Sequence, residues 1–182
     1  MGRHKQPEIR DRILDACVDF ALAHGLPDRL EPFATAAGTS TRMLIYHFGT
    51  RDALLRETLQ RARRRQRDFF EELLAPRADE PYPTTLRRAW REMTGPAGRP
   101  YLSMFGRLRE GAGQQLWPGF RQEATTDWRQ PFEDGLRSIG RPELGTLTLA
   151  VFRGLIMDVE DTGDVARADQ AFDDFLAVLA PR

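Results

Sequence analysis

A short stretch of the sequence, residues 40–48, combines hydrogen-bonding and charged side chains with two regularly spaced apolar ones. It reads STRMLIYHF, and Leu44 and Phe48, four residues apart, share one face of a predicted helix. If that face packs inward, the other side chains point outward. Among these, an arginine can pair with guanine O6 and N7, a threonine or methionine can touch a thymine methyl group, and tyrosine and histidine can hydrogen-bond phosphates. The outward face therefore has the chemistry needed to contact a DNA major groove.

Two helices are predicted to precede this segment and to hold it in place. From Ile9 to Ala21, apolar residues recur every three or four positions, which is typical of one buried helical face, and Gly25 is expected to end this helix. A second, short helix is expected over residues 30–37. Asp28 can help to cap it, and Pro32 is tolerated because it falls in the first turn.

Gly38 is expected to end the second helix, and the Ser40 hydroxyl to cap a third over residues 41–48. Two short helices joined by a tight turn that contains glycine are typical of the helix-turn-helix motif. Thr50 is then expected to cap a long fourth helix, residues 51–75, with Arg51 at its start in a position to clamp the DNA backbone.

The remainder of the chain also predicts helices. Pro76, Pro81 and Pro83 mark a linker, and Pro131 is expected to kink or divide the helix that contains it. The predicted segments, separated by Gly and Pro, cover residues 84–94, 101–111, 120–139, 143–161 and 165–179. No segment alternates with a period of two residues, so the predicted fold class is all-α.

Composition and charge exclude several functions. The 182 residues contain no apolar run near the ~20 that a membrane helix requires. The charged N-terminus lacks the apolar core of a signal peptide, so we expect a cytoplasmic protein with no membrane partner. Net charge is zero, but residues 1–70 carry 13 Arg and Lys against 9 Asp and Glu, and residues 71–182 carry 14 against 18. A basic N-terminal part suits a polyanionic partner.

The residue sets that catalysis requires are missing. The three histidines, His4, His24 and His47, have no metal-ligand spacing, and there is no G-x-S-x-G, P-loop or G-x-G-x-x-G motif. Cys17 is the only cysteine and lies on an apolar helical face, so we expect a core residue and neither a disulfide nor a cysteine-based metal site. We therefore expect no enzyme activity, no metal and no cofactor.

Four blocks of sequence resemble one known family. ILDACVDFALAHG (13–25), FATAAGTS (33–40), LIYHF (44–48) and GTRDALL (49–55) together resemble the N-terminal domain of TetR-type (TetR/AcrR) transcriptional regulators in their order and spacing. The run 151–181 is similar to the last two helices of such regulators, which pair in a dimer interface. The resemblance implies a DNA-binding domain over residues 1–50, a connecting helix over 51–75, and a ligand-binding and dimerisation domain over 76–182.

Carried over residue by residue, the resemblance assigns DNA contact to Ser40, Thr41, Arg42, Met43, Tyr46, His47 and Arg51. Three positions depart from the family pattern. Arg42 stands where a small residue is frequent, Ile45 where a tyrosine is frequent, and Arg29 where a threonine is usual. Arg42 can add a base contact, whereas Ile45 removes a phosphate-binding hydroxyl.

The C-terminal half is rich in aromatic residues. Antiparallel helices can enclose a ligand cavity lined by such side chains and a few polar groups, although some of the aromatics must be core. The candidate ligand contacts are Trp90, Tyr101, Phe105, Trp117, Phe120, Trp128, Phe152 and Met157. Arg153 and Asp158 are either polar ligand contacts or interface charges.

Two basic segments allow more than one interpretation. The run 61–67, RARRRQR, can contact nucleic acid or form a solvated surface, because arginines at successive positions point all round a helix. The arm formed by residues 2–5 can enter a minor groove or fray as chain termini do.

The sequence thus predicts a homodimeric, sequence-specific transcriptional regulator. We expect a repressor that is released from a two-fold symmetric double-stranded DNA operator when a small, mostly apolar effector changes the spacing of its two recognition helices. The alternative is an all-α dimeric ligand-binding or adaptor protein of TetR-like form that no longer binds DNA specifically, and the missing hydroxyl at Ile45 keeps this alternative open.

Overall fold

The computed structural model describes residues 5–110 and 115–179. These residues form α-helices and one 3-10 helix, Pro142–Leu144, with no strand among them, which confirms the all-α fold class. The helices are α1 (Lys5–His24), α2 (Glu31–Ala36), α3 (Thr41–Phe48), α4 (Arg51–Leu74), α5 (Tyr82–Thr94), α6 (Arg99–Glu110), α7 (Phe120–Arg137), α8 (Gly145–Thr162) and α9 (Val165–Leu179). No helix in this described part is long and apolar enough to cross a membrane.

The described residues form two compact units. The first comprises residues 5–67, 103–110 and 115–118, and the second comprises residues 68–102 and 119–179. Helices α4 and α6 therefore contribute residues to both units. Residues 103–110 group with the N-terminal helices, whereas the sequence-based division assigns them to the C-terminal domain. That division stays a prediction.

The first unit is built on the apolar faces of its helices. Ile13, Cys17 and Ala21 are buried on α1 as their spacing predicts, while Ile9 is partly exposed. The other buried apolar residues of α1 to α4 in this unit are Leu14, Val18, Phe33, Ala34, Leu44, Phe48, Leu54, Leu55, Leu59 and Ala62. Burying one large apolar side chain contributes about 1.5–3 kcal/mol, so this core fixes α3 on α1, α2 and α4.

Two of the three predicted caps are confirmed. The Ser40 hydroxyl oxygen accepts a hydrogen bond from the Met43 N–H at 3.2 Å, and the Thr50 hydroxyl accepts one from the Ala53 N–H at 3.1 Å. Each cap satisfies one of the backbone donors left unpaired at a helix start.

The predicted Asp28 cap is wrong. Helix α2 begins after Leu30, which has a helical backbone conformation and no side-chain cap hydrogen bond. The preceding turn therefore leads into α2 without a side-chain cap. Gly38, after α2, has a φ of 60°, a conformation that glycine adopts without steric cost and that turns the chain into α3.

An aromatic cluster fills the second unit. The rings of Trp90 and Phe172 are stacked with centroids 4.8 Å apart, and Phe152 meets each of them at a steep angle. Trp90 Nε1 donates to Asp169 Oδ1 at 2.7 Å, so the single donor of this buried indole is satisfied. These contacts join α5, α8 and α9.

Helices α5 and α7 approach closely at Gly135, where a Cβ atom would overlap the ring of Tyr82. The Tyr82 hydroxyl is buried without a hydrogen-bond partner among the described residues, and this burial raises the pKa of Tyr82. The Tyr82 ring thus occupies space beside α7 that any side chain at position 135 would fill.

Helix boundaries differ from the prediction at prolines. Helix α5 begins at Tyr82, ahead of the predicted start, because Pro83 lies in the first turn, where its missing N–H has no helical partner. Helix α7 continues through Pro131, so a division there is wrong. Ala124 before the proline and Phe132 after it are both buried, which holds the two halves of α7 in one core.

Candidate nucleic-acid interface

Helix α3 is anchored on one side and exposed on the other. Leu44 and Phe48 are buried, as their spacing predicts, whereas Tyr46 is 66% exposed, Ile45 41% and Met43 40%. Because these three exposed side chains lie close together in sequence on one short helix, they form a surface available to a partner.

The predicted DNA contacts differ in how accessible they are. Ser40, Arg42, Met43 and Tyr46 are exposed, and Thr41, His47 and Arg51 are half-buried. The Ser40 hydroxyl oxygen already accepts the capping bond, but its O–H remains able to donate. Together these residues cover the N-terminal half and outer face of α3. Their contact with DNA stays a prediction.

His47 is more enclosed than its neighbour Tyr46. The two rings meet edge to face with centroids 5.1 Å apart. His47 Nε2 is buried and has no hydrogen-bond partner among the described residues. A phosphate contact through this nitrogen therefore requires the imidazole to rotate.

Arg10 of α1 holds the C-terminal end of α3. Its Nη2 lies 2.6 Å and 2.5 Å from the two carboxylate oxygens of Glu57 on α4, and its Nε donates to the His47 carbonyl at 3.3 Å. The guanidinium carbon lies 4.6 Å from the centre of the Phe48 ring, within cation–π range. This role of Arg10 is not evident from the sequence, because its partners lie far along the chain.

Arg51 at the start of α4 donates its hydrogen bonds within the protein. Nη2 donates to the Pro27 carbonyl at 3.0 Å, and Nη1 lies 3.3 Å from Asp52 Oδ1. Its Nε is buried without a partner in the described part of the chain. The side chain therefore links the start of α4 to the turn between α1 and α2.

That turn borders an open groove beside the N-terminal end of α3. The groove has a volume of about 570 Å³ and is lined by Asp28, Arg29, Leu30, Glu31, Thr41, Arg42, Ile45 and Arg51. It brings together the three positions at which the sequence departs from the TetR pattern. Only Arg42 among these three belongs to the predicted set of DNA contacts.

The arginine run of α4 pairs with α1. Arg61 Nη2 lies 2.6 Å from Asp11 Oδ1, and Arg65 bonds Asp15 at 2.8 Å and Asp19 at 2.6 Å. The three aspartates are four residues apart and line one face of α1. These arginines therefore form an interhelical ladder, a third outcome beside the two interpretations considered from the sequence.

Other arginines of the run have different surroundings. Arg63 is buried, donates to Gln66 Oε1 at 2.5 Å and lies over the Phe105 ring at 5.7 Å, whereas Arg64 is exposed. The side chains of the basic arm, residues 2–5, lie outside those that the structure describes.

The candidate ligand contacts are divided between the two units and differ in burial. Trp90 and Phe152 are core residues of the second unit. Tyr101 and Trp128 are partly buried and both contact Phe70, with ring centroids 6.4 Å and 5.5 Å away.

The remaining candidates come from both units. Phe105 and Trp117 belong to the first unit, Phe120 is buried, and Met157 is exposed on α8. Arg153 donates to Thr125 Oγ1 at 3.0 Å, and Asp158 pairs with Arg167 at 2.6 Å. Among the described residues, no group of three or more His, Cys, Asp or Glu is arranged to hold a metal ion.

Comparisons with known proteins agree with this fold. No protein-family profile matches the sequence, and no curated protein matches it. Among solved structures, a transcriptional regulator from Rhodococcus sp. Rha1 is 21% identical, with 93% of this chain and 95% of that one covered and a TM-score of 0.69. A member of the TetR family from Streptomyces coelicolor A3 is 22% identical over 97% and 100% of the two chains, with a TM-score of 0.63.

A third similar structure is the multidrug binding protein EbrR in complex with imidazole. It is 23% identical, covers 100% of this chain and 95% of its own, and has a TM-score of 0.67. The chain therefore has the fold of TetR-family transcriptional regulators over nearly its whole length, which confirms at the level of the fold the resemblance drawn from the four sequence blocks.

Proposed function

We propose that the protein is a homodimeric, sequence-specific DNA-binding transcriptional regulator that acts as a repressor. The observation that carries this proposal is the arrangement of α3, in which buried Leu44 and Phe48 leave Arg42, Met43 and Tyr46 exposed side by side. The fold shared with proteins described as transcriptional regulators supports it. Such a function places the protein in the cytoplasm with the DNA, and it requires no catalytic group.

In this proposal α3 enters the major groove. Arg42 pairs with a guanine, and Thr41 or Met43 contacts a thymine methyl group. Tyr46 and Ser40 donate to phosphates. The His47 ring joins them once it rotates, and Arg51 lies at the edge of this surface.

The dimer is proposed to form through α8 and α9. Leu147 is 51% exposed, Met157 50% and Val178 74%, so these two helices expose large apolar side chains that a second copy would cover. On α8, Ala150 and Gly154 lie on the same face as Leu147 and Met157, and such small residues permit close approach of a second helix.

The effector is proposed to be a small, mostly apolar molecule bound in the second unit. Tyr101 and Trp128 are the candidates best suited to contact it, because they are aromatic, partly buried and next to the core ring of Phe70. The description of the similar EbrR structure as a multidrug binding protein supports this class of ligand. Trp90 and Phe152 would line the site from the core side.

Release follows if the effector prefers a dimer whose recognition helices are wrongly spaced. Two such helices must lie about 34–36 Å apart, or a multiple of this, to enter successive major grooves on one DNA face. Helix α4, like α6, contributes residues to both units, and it follows α3 directly, so it is proposed as the element through which the second unit acts on the first. The effector lowers DNA affinity by the ratio of its affinities for the two states.

Selection from a random pool of duplex DNA, with purified protein at near-physiological salt, tests the proposal. Enrichment of a two-fold symmetric site with half-sites one or more helical turns apart is the expected result. No enrichment, repeated after the protein has been unfolded and refolded to remove bound ligand, would instead favour an adaptor. The exposed apolar pair Met43 and Ile45 would then be a protein-binding surface.

A further inference from the structure

The arginines of the first unit differ in whether their donors have partners. Six of those that the structure describes donate hydrogen bonds to protein oxygens, and they are Arg10, Arg51, Arg61, Arg63, Arg65 and Arg107. Arg29 and Arg42 are exposed and form no hydrogen bond or ion pair with the described residues. Both line the open groove beside α3. The groove thus holds two guanidinium groups whose donors have no partner among the described residues.

Donors of this kind suit phosphodiester oxygens. A guanidinium presents planar N–H groups that match two phosphate oxygens at once, and such charge-assisted bonds are about twice as strong as neutral ones. The groove also contains Asp28 and Glu31 against Arg29, Arg42 and Arg51, so its formal charge is only +1. The carboxylates repel the phosphate that the arginines attract.

Arg51 also lines the groove, but both of its terminal nitrogens already have partners within the protein. Its Nη2 donates to the Pro27 carbonyl, its Nη1 lies against Asp52, and its Nε is buried. Pro27 stands two residues before Arg29. No side chain caps the start of α2. The hydrogen bond from Arg51 to the Pro27 carbonyl therefore restrains the turn from outside it.

We propose that Arg29 binds a backbone phosphate of duplex DNA next to the bases that α3 contacts, and that Arg51 is a positioning residue that holds the turn for it. This inference rests on the proposed function. The sequence suggests that Arg51 contacts the DNA backbone. In this proposal Arg29 makes that contact instead, and Arg51 only positions the turn.

The first test measures DNA affinity of the dimer against salt, using the duplex selected by wild type and a shuffled duplex. Arg29→Gln is expected to lower affinity about five- to tenfold on both duplexes and to reduce the slope of log K against log salt by about 1. Arg64→Gln is the matched control, because Arg64 is an exposed arginine on α4 outside the groove. An unchanged slope for Arg29→Gln beside a normal wild-type slope overturns this inference and leaves the proposed function standing.

A second variant gives a change that damage to the fold cannot mimic. Glu31→Gln removes a carboxylate from the groove, so it is expected to tighten binding to both duplexes by a few-fold at low salt and less at high salt. Unchanged or weaker binding counts against a phosphate in the groove.

The role of Arg51 is tested by a double-mutant cycle. Arg51→Gln is expected to weaken binding in the wild-type background and to have little further effect when Arg29 is already glutamine, because it acts through Arg29. If the two substitutions lower DNA affinity additively, and Arg51→Gln alone lowers the salt slope, then Arg51 itself binds a phosphate. Failure of the wild type to select any duplex would overturn this inference together with the proposed function.

Discussion

Arg10 and Glu57, 47 positions apart, join α1 to α4 through contacts of 2.6 Å and 2.5 Å between one guanidinium nitrogen and both carboxylate oxygens. The same guanidinium bonds the His47 carbonyl and covers the Phe48 ring. One side chain therefore ties the last turn of α3 to two other helices. A rotation of α3 about its axis would break these contacts, so Arg10 helps to determine which residues α3 exposes.

Replacing Arg10 by alanine is expected to destabilise the protein by about 1–2 kcal/mol. The substitution removes charge-assisted hydrogen bonds, whose contribution is reduced here because the side chain is partly exposed to solvent. Specific DNA affinity is expected to fall more than non-specific affinity, because α3 loses its fixed orientation. Urea unfolding and binding to selected and shuffled duplexes measure the two effects. Arg12→Ala, an exposed arginine on the same helix with no partner in the described chain, is the control and is expected to change neither.

Arg42→Ala is expected to cost about 1–3 kcal/mol of binding to the selected site and to relax preference at one base pair of each half-site. The reason is its exposed guanidinium on the outer face of α3, which has no partner among the residues that the structure describes. Selection repeated with the variant measures it. Equal losses on selected and shuffled duplexes would mean that Arg42 contacts only phosphate.

The double variant Arg61→Ala/Arg65→Ala is expected to reduce stability by about 1–2 kcal/mol at low salt and by less at about 1 M salt, since these ion pairs with α1 are partly exposed. The salt slope of DNA binding is expected to stay unchanged. A lower slope would show that the run contacts DNA after all. Thermal unfolding at two salt concentrations, beside the binding series, separates these outcomes.

Leu147→Glu and Val178→Glu are each expected to convert a dimer into a monomer, because they place charge in the apolar surface that a second α8–α9 pair would cover. Sedimentation measures the change, and DNA affinity for a two-fold site is expected to fall with it. Ile9→Glu, on an exposed apolar residue of α1, is the control. A dimer unaffected by both substitutions would place the interface elsewhere.

Cys17 is expected to react with a thiol reagent only as the protein unfolds, because the side chain is fully buried and burial raises its pKa to about 12. The raised pKa means that its contribution to stability is complete below pH 9.0 and is lost as the pH rises toward 12. Between pH 9.0 and 10.0, the free energy of unfolding of wild type should fall by about 1 kcal/mol more than that of Cys17→Ala. This range stays below the ordinary pKa of tyrosine, 10.0, which limits the contribution of tyrosine titration. Equal pH slopes would contradict this assignment.

The sequence predicted local features well. The bounds of α3, its Ser40 cap and its buried pair Leu44 and Phe48 depend on residues within a few positions of one another, where helix geometry alone decides. The same holds for Thr50. Helix α9 likewise has its predicted bounds.

Features that depend on distant residues were not predicted. The partners of Arg10 lie 37 and 47 positions away, and Arg51 reaches back 24 positions to Pro27, so no spacing rule reveals them. Aromatic composition is equally uninformative about cavities, because a core ring such as Trp90 and a partly buried one such as Trp128 look alike in sequence. The ion pairs of the arginine run 61–67 were not predicted for a related reason, since the aspartates lie on another helix.

The hydrogen bond between Trp90 and Asp169 has a consequence for optical measurements. An indole enclosed by Phe152 and Phe172 and bonded to a fixed carboxylate is shielded from solvent, so Trp90 is expected to emit at short wavelength and to resist quenching by iodide. Its emission is expected to change less on effector binding than that of a partly buried indole. Trp128, which is partly buried in the same unit, is the natural fluorophore for reporting the arrival of an effector, and replacing Trp90 and Trp117 by phenylalanine would isolate its signal.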